Sequence, residues 1–335
     1  MTSHAVVVPE RGTVLAALEL ACRAPSLHNS QPWRWRLGEH TLHLHADPDR
    51  LLAATDPTGR ELVMSCGAAL HHARVALAAS GWRAIVHRLP NPADREHLAS
   101  IEFAPLPDLP AEMVPLARAI ADRHTDRRPF LPEPVPRPVL DRLASLAAIE
   151  GASLTVADSV VARRELVVAM SAVNELQRRD AAYRTELAAW AARGLGAVDG
   201  VPASGLRSVH PPGRPLLGRD FSSAGEGDLV VPPVDDGAVL AVLSTESDQR
   251  LDWLRAGEAV SAVLLGATAA GLASCPLSQI AEAEAARDAV RSAVLGGSGA
   301  PQLLLRIGWA VTEVYPSRPS PRRPLAEVLD RLSAE

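Results

Sequence analysis

Two short clusters hold much of the chemistry this chain could perform. One is Arg123-x-Thr125-x-Arg127, delivered by an apolar helical run; the other is Ser320-Pro321-Arg322-Arg323-Pro324, near the C-terminal end. Any phosphate this chain holds must be held by such guanidinium and hydroxyl groups or by backbone N–H groups. The chain contains no lysine, so all 34 residues counted as Lys plus Arg are arginines. A Schiff-base lysine and a P-loop lysine are therefore excluded. As residue types alone, the same arginines would equally make a solvated basic helix end and a basic tail. The third cluster is polar and uncharged: Ala24-Pro25-Ser26-Leu27-His28-Asn29-Ser30-Gln31-Pro32-Trp33. Its two prolines fix their own φ and push the residues before them out of the helical region. Ser26, His28, Asn29, Ser30 and Gln31 thus sit on a stiffened loop, although a plain helix stop and turn has the same composition.

The elements that must position these clusters follow from periodicity. A helix is expected over Val14–Cys22 and a strand over Trp35–His45, with the polar loop between them. Glu61–Ser80 reads as a helix apolar nearly all round and rich in small residues, hence buried and closely approached. Strands are expected at Trp82–Arg88 and Ile101–Pro105, and a helix at Met113–Asp122 leads into Arg123. Beyond them come a helix at Val139–Ile149, a strand at Ser153–Ala157 and a long helix or helix pair over Val160–Arg193. Residues 194–236 turn to Gly, Pro and Ser, and a stretch of that length with apolar residues to bury is expected to be a lid. Val239–Ser244 is a strand, Asp252–Ala270 a second small-residue helix, and Ser274–Ser278 a segment before a helix at about Ala281–Leu295. A strand at Gln302–Trp309, a proline-rich run and a short helix to Leu332 close the chain.

The two small-residue helices align at a constant offset of 190, which superposes Gly67 on Gly257 and Gly81 on Gly271. An α+β fold of two similar halves, 1–112 and 113–335, is therefore expected, forming an intramolecular pseudo-dimer with a ligand at its seam. The net charge of −5 gives no general attraction to nucleic acid or anionic membrane. No apolar run of spanning length and no signal peptide is read. Three widely spaced cysteines offer neither a disulfide framework nor a CxxC pair, which fits a reducing cytoplasm. His43, His45, His71 and His72 lack further ligands at zinc spacing, so no metal is expected. No GxGxxG opens a helix, and no dedicated acid–base pair stands out.

The polar loop closely resembles the AP-S-x-x-N-x-QPW signature of the FMN-dependent nitroreductase superfamily, and the whole chain resembles its fused, single-chain Acg-like branch. In that family the loop lies against the flavin ring and reaches across from the other subunit, which implies contacts from Pro25, Ser26, Asn29 and Gln31. Arg123, Thr125 and Arg127 resemble the R-x-S/T-x-R motif, whose first Arg and hydroxyl bind the FMN phosphate and whose last cation faces the pyrimidine edge. Arg322 matches a phosphate clamp after the last strand, with Arg323 substituting for a cation that falls on Ser320. Pro276, Leu277 and Ser278 resemble the segment under the ring; Ser278-Gln279 replaces the family's acidic-then-Gly pair, which bears on nicotinamide binding. The first half carries the loop without the arginine motif, and the second the reverse, so one FMN per chain is expected. The resemblance implies hydride transfer from NAD(P)H through FMN to a small-molecule acceptor of nitroaromatic or quinone class. The alternatives are a non-catalytic FMN store sealed by residues 194–236 and a flavin-free interaction protein. The expected assembly is a monomeric pseudo-dimer or a weak homodimer, in the cytoplasm.

Overall fold

The computed structural model describes residues 7–193, 196–202, 218–219, 221, 236–311 and 320–331. In the first half, α1 (Arg11–Ala21) leads through the polar loop to β1 (Trp33–Leu37) and β2 (Thr41–Ala46). The single strand expected over 35–45 is thus a hairpin, turned at Gly38-Glu39-His40. Both arms put alternate residues inward: Trp33 and Trp35 from one, Leu42 and Leu44 from the other, each 1% exposed or less. The buried helix α2 (Arg60–Ala79) follows, ended by Gly81 at φ 82°. Then come β3 (Trp82–Arg88) and β4 (His97–Pro105), and α3 (Met113–Asp122) leads on from them towards the second half.

The second half repeats this plan. It runs α4 (Arg137–Ile149), β5 (Ser153–Val156), α5 (Val160–Arg179), α6 (Ala181–Trp190), β6 (Ala191–Arg193), β7 (Val201–Pro202), β8 (Val239–Thr245), α7 (Arg250–Ala269) and β9 (Ala273–Leu277). It closes with α8 (Gln279–Glu282), α9 (Glu284–Val294), β10 (Ala300–Gly308), α10 (Leu325–Val328) and β11 (Leu329–Arg331). The helix pair expected before residue 193 breaks at Asp180, whose carboxylate accepts from the backbone N–H of Ala182 at 2.8 Å and of Tyr183 at 3.2 Å. The helix expected over 281–295 is likewise split, at Ala283.

The duplication is plain in the sheets. The first has the order β11-β1-β2-β4-β3 and the second β5-β8-β10-β9. Setting β11 aside, both read first, second, fourth, third, with the buried helix leaving the second strand. Residues 157–238 of the second half stand where the first has its short β1–β2 turn. Strand β11 comes from the far end of the chain and pairs parallel to β1, Trp35 opposite Leu329. The second half therefore lends its C-terminus to the first sheet.

The halves meet where α2 crosses α7, and glycine decides how closely. A Cβ at Gly67 would lie 2.1 Å from the carbonyl oxygen of Leu254; one at Gly257 would lie 2.0 Å from that of Met64. The two contacts interchange under the offset of 190, so a pseudo-twofold axis runs between them. His71 and Ser261, separated by the same offset, touch across the crossing at 2.7 Å. Beside it Glu258, 0% exposed, accepts from Arg74 at 2.8 Å and from Arg88 at 2.7 and 2.9 Å. Arg74 also reaches Glu150, at 2.5 Å. Glu150 occupies the tight α4–β5 turn, the counterpart of the polar loop between α1 and β1. Helix α2 has the length and hydropathy of a membrane span, but 89% of that window is buried inside the protein, so the crossing accounts for its apolar character.

Candidate functional site

The loop from Ala24 to Trp33 is held in an unusual backbone shape. His28, Asn29 and Gln31 all have positive φ, at 48°, 56° and 51°. Non-glycine residues are strained in this region, and the strain persists where surrounding contacts enforce it. Here the Ser26 hydroxyl accepts from the Gln31 N–H at 2.9 Å, and the Leu27 N–H donates to Ser65 of α2 at 3.2 Å. Asn29 and Gln31 turn inward at 9% and 0% exposure.

The C-terminal arginines seat on this loop. Arg322 donates to the Asn29 side-chain oxygen at 3.0 Å and to the carbonyl oxygens of Arg23 and Ala24 at 2.9 and 3.3 Å. The Arg323 backbone N–H donates to Gln31 Oε1 at 2.8 Å. Arg123, at the end of α3, reaches the same Arg23 carbonyl at 3.5 Å. The loop, Arg123 and Arg322 are thus gathered at one place from three distant stretches of chain.

Their charges are uncompensated. Arg123 and Arg322 have no carboxylate partner among the described residues, and Arg123 Nε and Nη1 and Arg322 Nε are buried without hydrogen-bond partners. Burial and then the neighbouring Arg23 pull Arg123 down to about 10; burial, Arg123 and Arg23 pull Arg322 down to about 9. Arg123 and Arg322, crowded against Arg23 and carrying the idle donors, suit an anion, and a phosphate has the charge and the acceptor oxygens. Arg323 differs from the expectation drawn for it. Its guanidinium lies 3.7 Å from Asp47 and 3.5 Å from Glu327, so its charge is already met.

The remaining predicted positions lie in the second half, on the segment after α3 and on and just after β9. Thr125 bridges to Ser274 in parallel fashion, and the Asp126 N–H donates to the Ser274 carbonyl at 2.9 Å. Pro276 and Leu277 lie on β9, opposite Leu305 and Leu304 of β10. The Ser278 hydroxyl donates to Glu282 at 2.7 Å and accepts from Arg219 at 3.2 Å. The Arg127 guanidinium stands 5.4 Å from the Phe221 ring centroid.

The family model described as "Nitroreductase family" matches residues 120–309, more than half of the chain. The chain belongs to the nitroreductase family. Among its relatives is the Mycobacterium tuberculosis H37Rv protein named "Putative NAD(P)H nitroreductase Rv3131", 47% identical over 327 residues and covering 96% of this chain and 92% of that protein. The Acg protein of the same strain, similarly named, is 43% identical over 316 residues, 94% of each chain. A crystal structure from Anabaena variabilis, titled a "putative nitroreductase", covers 90% of both chains at 9% identity with a TM-score of 0.50. That likeness is one of fold.

Nitroreductases are oxidoreductases, and several residues of this member escape a motif-based reading. Arg23 belongs to no motif; it is drawn in because α1 ends where α3 ends, its side chain donating to the Ala121 carbonyl at 2.9 Å. His28 is legible in the sequence only as a polar loop residue, yet it is 6% exposed with both ring nitrogens unpartnered. Asp56 and Glu61 form a buried carboxyl pair at the start of α2, although no acid–base pair stands out in the sequence. Burial, more than the neighbouring carboxylate, pushes Glu61 well above the usual range, and Asp56 is raised for the same first reason. Arg219 is tied to Tyr183 and Glu282.

Of the expected lid, residues 194–195, 203–217, 220 and 222–235 lie outside the described residues. Three of the described ones, Val198, Gly200 and Phe221, contact the signature loop. Gln31 Nε2 donates to the Val198 carbonyl at 2.9 Å, Asn29 Nδ2 to the Gly200 carbonyl at 3.0 Å, and Phe221 meets His28 edge-on with centroids 6.4 Å apart. Phe221 packs with Tyr183, Leu187, Ala191 and Val201 in a small separate cluster. Helix α6 is pinned to the first half by Glu186, which accepts from the backbone N–H groups of Ala54 and Thr55, each at 2.9 Å.

Proposed function

We propose that the chain binds one FMN in the seam and uses it to reduce small oxidised acceptors, of nitroaromatic or quinone class, with NAD(P)H as the reductant. The observation that carries this reading is the set of idle, buried donors on Arg123 and Arg322 beside the signature loop. They fit a phosphate, and the relatives' names supply the nicotinamide nucleotide. FMN, when bound, supplies the redox chemistry by taking up hydride and passing it on. The chain's own residues hold and orient it: Arg123, Thr125 and Arg322 at the phosphate, Arg127 at the pyrimidine edge, and Pro25, Ser26, Asn29 and Gln31 on the ring side. Pro276, Leu277 and Ser278 form the support beneath. Arg323 acts in this scheme by fixing Gln31, not by its charge. The pseudo-symmetric place is filled by the matched charges of Arg74, Arg88, Glu150 and Glu258, which supports one FMN per chain. Three buried free thiols suit a reducing compartment such as the cytoplasm. In this reading the halves divide at residue 112, between β4 and α3.

The test is direct. The purified chain should be yellow, and NADPH under nitrogen should bleach it within seconds to minutes. A colourless chain that takes up neither FMN nor riboflavin would overturn the reading.

A second reading, a sealed FMN store, is favoured by one feature: Val198, Gly200 and Phe221 contact the loop, and buried Arg219 is latched to Glu282 and Tyr183. The two readings part on one variant. Glu282→Gln weakens the latch, because an amide offers Arg219 a neutral acceptor in place of a buried carboxylate. If the latch limits nicotinamide access, bleaching by NADPH should quicken about tenfold or more, an opening cost of roughly 1.4 kcal/mol removed. An unchanged rate in a chain that already bleaches rapidly favours the enzyme.

A further inference from the structure

His28 has no place in the signature beyond a variable position, yet its surroundings are among the most demanding in the chain. It is 6% exposed, and neither Nδ1 nor Nε2 has a hydrogen-bond partner. Polar atoms so buried nearly always find a partner, and leaving both idle sacrifices their hydration without return. The backbone holds the ring there at φ 48°, a region that a bulky side chain seldom adopts. That hold comes from the loop itself, since the Asn29 N–H donates to the Ser26 carbonyl at 3.0 Å. The strain therefore aims the imidazole at a chosen spot.

The neighbours cannot serve as its partners. Phe221 presents an apolar ring, edge-on at an interplanar angle of 63°. Burial first, and then the cations Arg219 and Arg127, keep His28 neutral by lowering its affinity for a proton. A neutral imidazole offers one N–H donor and one nitrogen acceptor. Guanidinium groups accept nothing, so the donor side at least must look to a ligand. That ligand has to be planar to lie beside Phe221 and able both to accept and to donate at the imidazole.

We propose that His28 hydrogen-bonds the imide edge of a bound flavin, the C=O, N–H, C=O run of its pyrimidine ring. This rests on the FMN reading above and deepens it. His28 becomes a residue that selects the ring, whereas Arg123 and Arg322 select the phosphate.

The experiment compares FMN and riboflavin binding, by fluorescence quenching and absorption spectrum, in the parent, His28→Phe and His28→Gln. Phenylalanine keeps the aromatic contact with Phe221 and loses the donor and acceptor. It should weaken both flavins by the same factor, about tenfold, and shift the visible bands of the bound flavin. Glutamine keeps one donor group and one acceptor and should recover most of that affinity. The apo form of His28→Phe should melt at or above the parent, because two idle buried nitrogens are gone; this separates a binding defect from a folding defect. Unchanged affinity and spectrum in His28→Phe, or a Gln variant as weak as Phe, would overturn the assignment while leaving the FMN reading intact. A parent chain that binds neither flavin would end both.

Discussion

Arg322→Met should lower FMN affinity about a hundredfold and leave riboflavin affinity within a factor of about three. The magnitude combines one charge-assisted hydrogen bond from the idle Arg322 Nε to a phosphate, roughly 1.5–3 kcal/mol, with the loss of a cation beside that dianion. Riboflavin lacks the phosphate, so it reports whether the seam is otherwise intact. Isothermal titration of both flavins decides the matter, and equal losses for the two would show that Arg322 only shapes the loop. The same substitution should raise the stability of the apo protein. In the folded chain Arg322 is held at about 9, below its ordinary value, by burial and then by Arg123 and Arg23. Above that point the unfolded chain binds more protons than the folded one, and stability rises as pH climbs through 9. Below pH 9 both states are charged and the full penalty of the buried cation is present. Urea melts of apo parent and variant at about pH 7 should thus favour the variant, with the gap narrowing by about pH 10. Saturating FMN should reverse the order at the lower pH, because the phosphate answers the charge. This is the usual exchange of stability for a binding site.

Gly257→Ala should be among the most damaging glycine-to-alanine changes in this protein. The new Cβ would stand 2.0 Å from the Met64 carbonyl oxygen, with Met64 Cα at 2.9 Å. These are backbone atoms within a helix, so no rotamer change relieves the clash, and α2 and α7 must move apart. Overpacking typically costs about 1–3 kcal/mol, and a backbone clash that no rotamer relieves should lie at or above the top of that range. The expected readout is a lower urea midpoint with little change in slope, accompanied by loss of flavin, since the seam is built on the same crossing. Gly12→Ala is the control: a Cβ there would meet nothing within 4 Å, and the substitution favours the helix by up to about 1 kcal/mol. A variant at Gly257 as stable as the parent would mean that the helices are not in backbone contact.

What the sequence made legible was the repeat and the motifs; what it concealed was the connectivity. The offset relating Gly67 to Gly257 is a pattern in residue types, and close helix approach follows from it physically. The polar loop could be read because two prolines and a fixed spacing leave few conformations. By contrast, the break at Asp180 looks like any charged residue in a helix until its carboxylate is seen capping α6. Arg23 has no local pattern, because its role comes from two helices ending side by side. Arg323 looks interchangeable with Arg322 in the sequence, and only tertiary contacts with Asp47 and Glu327 separate the answered charge from the open one. Strand β11 was hidden for a related reason. Three residues that pair with a strand nearly the whole chain away carry no periodicity of their own.

The polypeptide link between the two sides of the crossing has a consequence for behaviour at low copy number. In a two-subunit oxidoreductase of this family, a pocket shared between subunits is lost whenever the subunits part, so dilution erodes cofactor occupancy. Here the loop and the arginines are tethered, and their effective local concentration is fixed by the covalent chain. Occupancy should therefore depend on free FMN alone, and a single molecule at picomolar concentration should keep its pocket assembled as firmly as a concentrated solution does.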